Sequence, residues 1–167
     1  MAIIAIACQG KKQVDKTTQP DWKQWISADI DSLKKQKIWV DHNTQIDEAV
    51  SNKLIKEPDW DDLLGAMMTL ETIATDNYTE TLDSAGFISI SNRVNNDTNA
   101  LVQYVRIMRN KGKVTVIEIA TKEKNMLSER SGTYSYQPQK AFGINLIEKY
   151  LWTSPKNIII NAEFLKK

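Results

Sequence analysis

The sequence feature that most constrains the fold is a change in the spacing of apolar residues at Gly86. Beyond this point, six short segments rich in β-branched and aromatic residues are separated by turn-like stretches. These segments are GFISISN, ALVQYVRIM, KVTVIEIAT, LSERSGTYSYQ, FGINLIEKYLW and NIIINAEFL. Links this short join only neighbouring antiparallel strands, because a parallel pair needs a long crossover. The C-terminal half therefore predicts an antiparallel meander of five or six strands.

The residues before Gly86 have the spacing of helices. Between Asp21 and Lys37 the apolar residues recur at steps of three and four, which places them on one side of a helix. These residues are Trp22, Trp25, Ile26, Ile30 and Leu33. The next segment, IWVDHN, is too short for a helix and is interpreted as a strand or an extended link.

Two further helices are predicted before the meander. Thr44 would cap the first of them, with inward-facing Ile46, Val50 and Leu54, and Pro58 would end it. Asp59 would cap the next helix, whose apolar stripe begins at Trp60. The sequence thus predicts an α+β fold in which about three N-terminal helices pack on one face of a curved antiparallel meander of five or six strands.

The charge balance narrows the classes of partner. The 22 basic and 21 acidic residues nearly cancel, and only four of the basic residues are arginine. A nucleic-acid partner is therefore not expected, because phosphate recognition needs a basic surface. No apolar run reaches the roughly 18 residues that a membrane-spanning helix requires.

The N-terminal stretch IIAIACQGKK predicts a membrane anchor of another kind. Its Ala5-Ile6-Ala7-Cys8 segment resembles the lipobox of bacterial lipoproteins, although Ala5 stands where leucine is usual. In that family, signal peptidase cuts before the cysteine, which is then acylated. The resemblance implies that Cys8 is lipidated, and the short apolar run before it implies that the natural start lies further upstream.

A second, broader resemblance concerns uncharacterised envelope lipoproteins of the Bacteroidetes type. The matching features are Asp21-Trp22, the helix start from Asp59 to Leu64 and the strands from Leu101 onward. The resemblance implies a bacterial envelope location and no particular activity.

These features predict three segments along the chain. Residues 1–8 are interpreted as the remnant of the lipoprotein signal, residues 9–20 as a flexible tether and residues 21–167 as a single α+β domain. The tether interpretation follows from residues 9–20 having almost nothing to bury. The alternative is a cytosolic protein in which residues 3–8 form a buried strand, with Cys8 as a small core residue.

Candidate catalytic residues are few. His42, the only histidine, could act with Asp41 or Asp47 in a hydrolase, provided that a Ser, Thr or Cys lies within hydrogen-bonding distance. The glycines are scattered and form no phosphate-binding loop. The sequence predicts no metal and no cofactor.

A non-catalytic sheet domain that binds a ligand or supports an assembly is the main functional prediction. Its uncovered face would be concave and apolar enough to hold a lipid or a peptide. Five aromatic residues are proposed to line it or to stack on a ligand, namely Tyr104, Tyr134, Tyr136, Trp39 and Trp152, together with apolar residues such as Val102 and Ile117.

Overall fold

The computed structural model describes residues 21–73 and 77–166, which form two helices and nine strands. The helices are α1 (Trp22–Leu33) and α2 (Trp60–Met68). The strands are β1 (Ile38–Ile46), β2 (Ala49–Ile55), β3 (Tyr78–Ala85), β4 (Ile88–Asn95), β5 (Val102–Asn110), β6 (Lys113–Lys124), β7 (Ser128–Gln137), β8 (Ala141–Tyr150) and β9 (Lys156–Lys166).

All nine strands belong to one antiparallel sheet with the order β2-β1-β9-β8-β7-β6-β5-β4-β3. Strands β3 to β9 follow one another as a meander, and β9 then pairs with β1. Two-residue links join the tightest hairpins, and each contains a residue with positive φ, as in Lys111-Gly112 between β5 and β6. Such turns match the twist of the paired strands and so fix their register.

The core lies between the two helices and one face of the sheet. Because side chains alternate between the faces of a strand, every second residue of the central strands contributes to it. Ile107, Ile117 and Ile119 from the sheet are fully buried with Ile26 and Leu64 from the helices. The ring of Trp60 in α2 meets that of Phe164 edge-on, with centroids 5.0 Å apart. We call this side of the sheet the covered face.

The predicted fold class is wrong in its count of elements. The structure has two short helices rather than three, and nine strands rather than five or six. The six predicted segments correspond to β4–β9, whereas β1, β2 and β3 add a hairpin at one end and an edge strand at the other.

The missing helix shows why the prediction failed. Residues 44–57 contain the end of β1, a turn and β2, not a helix. The spacing of Ile46, Val50 and Leu54 by four residues suits a helix, but Ile46 ends β1, whereas Val50 and Leu54 lie in β2 on the opposite face of the sheet. All three side chains are exposed, so they do not form the inward-facing stripe that the spacing predicts. Asp47 adopts a left-handed conformation with φ of 51°, which breaks the helix and forms the hairpin turn.

A group of hydrogen bonds fastens α1 to the sheet. The carboxylate of Asp29 accepts hydrogen bonds from the Tyr136 hydroxyl, from the Gln139 side-chain amide and from the Gln139 backbone N–H, the last at 3.0 Å. Burial, together with the bond to Asp29, raises the pKa of Tyr136 above its ordinary value.

The predicted segments 1–8 and 9–20 lie outside the described residues.

Replacing Tyr136 with Phe tests this attachment. Because it removes a hydrogen bond to a charged acceptor, Tyr136→Phe should lower the free energy of unfolding by about 1.5–3 kcal/mol at pH 7. A tyrosine with a raised folded-state pKa stabilises fully below its unfolded pKa of about 10 and loses that contribution at higher pH. The difference between wild type and variant should therefore narrow above pH ~10, as measured by urea denaturation.

Tyr150→Phe is the matched control, because Tyr150 is 52% exposed. It should change the free energy of unfolding by no more than about 0.5 kcal/mol. Equal effects of the two variants, or a difference that stays constant up to pH 11, would show that the bond between Tyr136 and Asp29 does not hold α1 in place.

Candidate functional site

A continuous row of side chains crosses all nine strands on the face that no described element covers, which we call the open face. The Cα pairings place one residue of each strand at the same level. From β2 to β3 these residues are Asn52, Asn43, Asn161, Gly143, Ser135, Glu118, Arg106, Asn92 and Thr81. Eight of the nine have polar side chains, so this row has the opposite character to the core.

On strands β4, β5 and β6, the side chains of the row hydrogen-bond to one another and to Tyr104. Arg106 donates to Asn92 at 2.9 Å and to Glu118 at 3.4 Å, and the Tyr104 hydroxyl also donates to Glu118. Burial is the main cause of the raised pKa of Tyr104, and the bond to Glu118 adds to it. The groups on β4, β5 and β6 are therefore engaged with one another.

At the other end of the row, on strands β2, β1 and β9, the side-chain amides lack such bonds within the described residues. The side-chain amides of Asn43, Asn52 and Asn161 make no hydrogen bond to any residue between 21 and 73 or between 77 and 166. Asn43 is half-buried, whereas Asn52 and Asn161 are exposed. Within the described part of the chain, their donors and acceptors are thus unengaged.

These amides surround a cavity of about 480 Å³, which we call the Gly143 hollow. Its polar side chains come from Asp41, Asn43, Asn52, Ser135, Gln137, Asn161 and Glu163. None of the described residues that line it is Lys or Arg. The volume lies in the range of small-molecule sites, but the polar lining is unlike the apolar lining that most such sites have.

Gly143 forms the bottom of the hollow, and the absence of a side chain there creates the space. A Cβ at this position would lie 2.8 Å from Ser135 Oγ and 3.3 Å from Asn161 Oδ1. The side chains of Ser135 and Asn161 therefore flank the glycine on its two sides, and the methyl group of an alanine would displace them.

Two carboxylates stand at one side of the hollow. Asp41 and Glu163 are direct partners in the β1–β9 pair, so their side chains project next to each other from the open face. Within the described ranges, no three or more Asp, Glu, His or Cys residues form a group that could hold a metal ion. The site can therefore donate hydrogen bonds through amides and accept them through amides and carboxylates.

The structure places the predicted ligand-lining residues on different faces. Tyr104 lies on the open face, whereas Tyr134 and Tyr136 lie on the covered face together with Val102 and Ile117. The reason is strand parity, because Tyr134 and Tyr136 pair directly with the buried Ile119 and Ile117. The two tyrosines therefore contribute to the core rather than to an open surface. The open face carries the polar row together with apolar side chains, among them Trp39, Ile88, Ile147 and Leu165.

The two tryptophans also have separate environments. Trp39 projects toward the open face two residues before Asp41, and the Lys56 amine lies 5.5 Å from the centroid of its ring. Trp152 lies in the turn between β8 and β9 and is 88% exposed. Neither residue lines the Gly143 hollow, and Cys8 lies outside the described residues.

His42 is half-buried on the covered face, where its Nδ1 lies 3.5 Å from the Thr44 hydroxyl oxygen. A hydroxyl is thus at the outer limit of hydrogen-bonding distance. Asp41 projects from the opposite face, and a carboxylate oxygen of Asp47 accepts the backbone N–H of Asn157 at 2.8 Å. Strand alternation therefore keeps Asp41 away from His42, and Asp47 is used in a turn.

Sequence reasoning did not identify Asn43, Asn52, Gly143 or Ser135 as site residues. The available signal was alternation, since Asn161 and Glu163 in NIIINAEFL point away from the apolar face. That pattern gives the face of a residue but not its neighbours, and the hollow depends on β1 pairing with β9.

Comparisons with protein-family models, with curated proteins and with solved structures give no match to this chain. Neither described helix has the length and apolar sequence needed to pass through a lipid bilayer. The open face and the N-terminal sequence are therefore the two features that bear on function.

Proposed function

We propose that the protein is a non-catalytic binding protein of the bacterial cell envelope, anchored by lipid on Cys8, that binds its ligand on the open face of the sheet. The observation that carries the binding proposal is the Gly143 hollow, where three amides on neighbouring strands have no partner in the described protein. A polar group that protrudes without a partner costs nothing in water, but a row of them around a cavity is well arranged for a ligand.

The anchor proposal rests on the sequence. The Ala5-Ile6-Ala7-Cys8 segment resembles a lipobox, and residues 9–20 are polar enough to serve as a tether between membrane and domain. Lipoprotein maturation attaches more than one acyl chain, which is what stable anchoring requires. The tether would then need no membrane affinity of its own.

A lipid is a poor candidate for the ligand itself. An acyl chain needs an apolar lining, and the Gly143 hollow has seven polar side chains. Of the strand residues predicted to line an apolar face, Val102, Ile117, Tyr134 and Tyr136 are part of the core, and Tyr104 alone lies on the open face.

Side-chain amide signals in NMR spectra test the binding proposal. We expect the ¹⁵N-labelled full chain, titrated with a solubilised hydrolysate of bacterial envelopes, to show shifts in the side-chain amides of Asn43, Asn52 and Asn161. The amide of Asn92 should not shift, because it already accepts a hydrogen bond from Arg106. No shifts at the hollow, or shifts confined to the covered face and helices, would contradict binding on the open face.

Replacing Cys8 with Ser at the native gene tests the anchor separately. The wild-type protein from its own bacterium should begin at Cys8 and carry the mass of attached acyl chains. Cys8→Ser should move the protein from the membrane fraction to the soluble fraction, since the acylated thiol is lost. A native protein that keeps residues 1–7 and a free thiol would contradict the proposed location without affecting the binding site.

A further inference from the structure

We infer that the Gly143 hollow binds a neutral carbohydrate chain. The inference rests on the proposed function, because it names the ligand class for the same open face. It follows from the hydrogen-bonding chemistry, the charge and the shape of the site.

The hydrogen-bonding groups of the hollow match those of sugar hydroxyls. A hydroxyl both donates and accepts, and so does each side-chain amide, which has two donor hydrogens and a carbonyl oxygen. Asn52, Asn43 and Asn161 stand side by side on three neighbouring strands, with Ser135 beyond Gly143. Adjacent strands are roughly 4.8 Å apart, so the amides form a row along which successive hydroxyls can be bound.

The charge of the hollow excludes anionic ligands. Asp41 and Glu163 are the only charged residues among those described that line it. Together they would repel a phosphate or a carboxylate, and no lining cation compensates. Toward neutral ligands the same two groups are strong acceptors, and neighbouring carboxylates can accept hydrogen bonds from adjacent hydroxyls.

Peptides and apolar ligands fit the hollow less well. An extended peptide binds a sheet by pairing with an edge strand, whereas β1, β9 and β8 under the hollow already have partners on both sides. Of the apolar side chains that line it, Phe142 and Ala162 belong to the buried core. Ala141 alone adds an apolar side chain from the open face.

The shape of the surface favours a chain over a single sugar. A second cavity of about 720 Å³ adjoins the hollow and shares Gln137, Ala141 and Glu163 with it. The second cavity, unlike the hollow, is also lined by two cations, Lys140 and Lys166, and by Leu165. The two cavities together form a depression from Asn52 at the β2 edge to Lys166 at the end of β9. A linear oligosaccharide could lie along it, with its hydroxyls on the amides.

The test screens the full-length protein against an array of neutral glycans and follows binders by calorimetry. Asn161→Asp keeps the size of the side chain but replaces two donors with a negative charge, so it should weaken binding by about tenfold or more. Asn145→Asp adds the same charge to the same face but removes no amide that lines the hollow, so it should change affinity for a neutral glycan less than about twofold. Gly143→Ala should also weaken binding, because it displaces Ser135 and Asn161.

Thermal unfolding of each variant shows whether it is folded, so that a loss of binding can be assigned to the site. The inference is overturned if no neutral glycan binds, or if Asn161→Asp and Asn145→Asp have equal effects. If glycans fail but Ca²⁺, an anionic glycan, a peptide or a lipid vesicle shifts the amides of Asn43, Asn52 and Asn161, the binding proposal stands and the carbohydrate assignment falls. If none of these probes shifts those amides, both fail.

Discussion

Hydrophobic burial on one face of the nine-stranded sheet is the interaction on which the rest of the structure depends. Helix α2 has nine residues and α1 has twelve, lengths that are marginal for isolated helices in water. Both are held by their apolar sides, where residues such as Ile26 and Leu64 are fully buried against the sheet. Burial of each such side chain contributes about 1.5–3 kcal/mol, which is a substantial fraction of the net stability of a domain.

This division leaves the second face of the sheet free for function. The polar row there is not part of the core, since its side chains project from the opposite face of the sheet. Three of the nine residues of the row, Asn92, Arg106 and Glu118, hydrogen-bond to one another at the β4–β6 end. At the other end, three amides are unengaged by the described protein, and Gly143 provides the space in front of them. The sheet therefore presents hydrogen-bonding groups on its open face, in front of Gly143.

The sequence allowed prediction of the elements whose patterns are long or bounded by clear turns. The six segments from Gly86 onward correspond to strands, because links such as RNKGK mark their ends. IWVDHN, interpreted as a strand or an extended link, is the start of β1, but β2 was missed because Ile46, Val50 and Leu54 have helical spacing across the β1–β2 turn. β3 was missed because its sequence, YTETLDSA, has no apolar pattern. The site was missed because Asn43 and Asn161 become neighbours only when β9 returns to β1, a pairing that local patterns do not contain.

Solvent accessibility of isoleucine methyl groups tests most directly whether the sheet has one covered and one open face. A soluble gadolinium chelate broadens the NMR signals of the groups that it can approach. In the full-length protein, the methyl signals of Ile147 and Ile88, which are 42% and 47% exposed on the open face, should broaden strongly. Those of Ile107, Ile117 and Ile119, which are fully buried on the covered face, should change little. Equal broadening of the two groups would contradict the account.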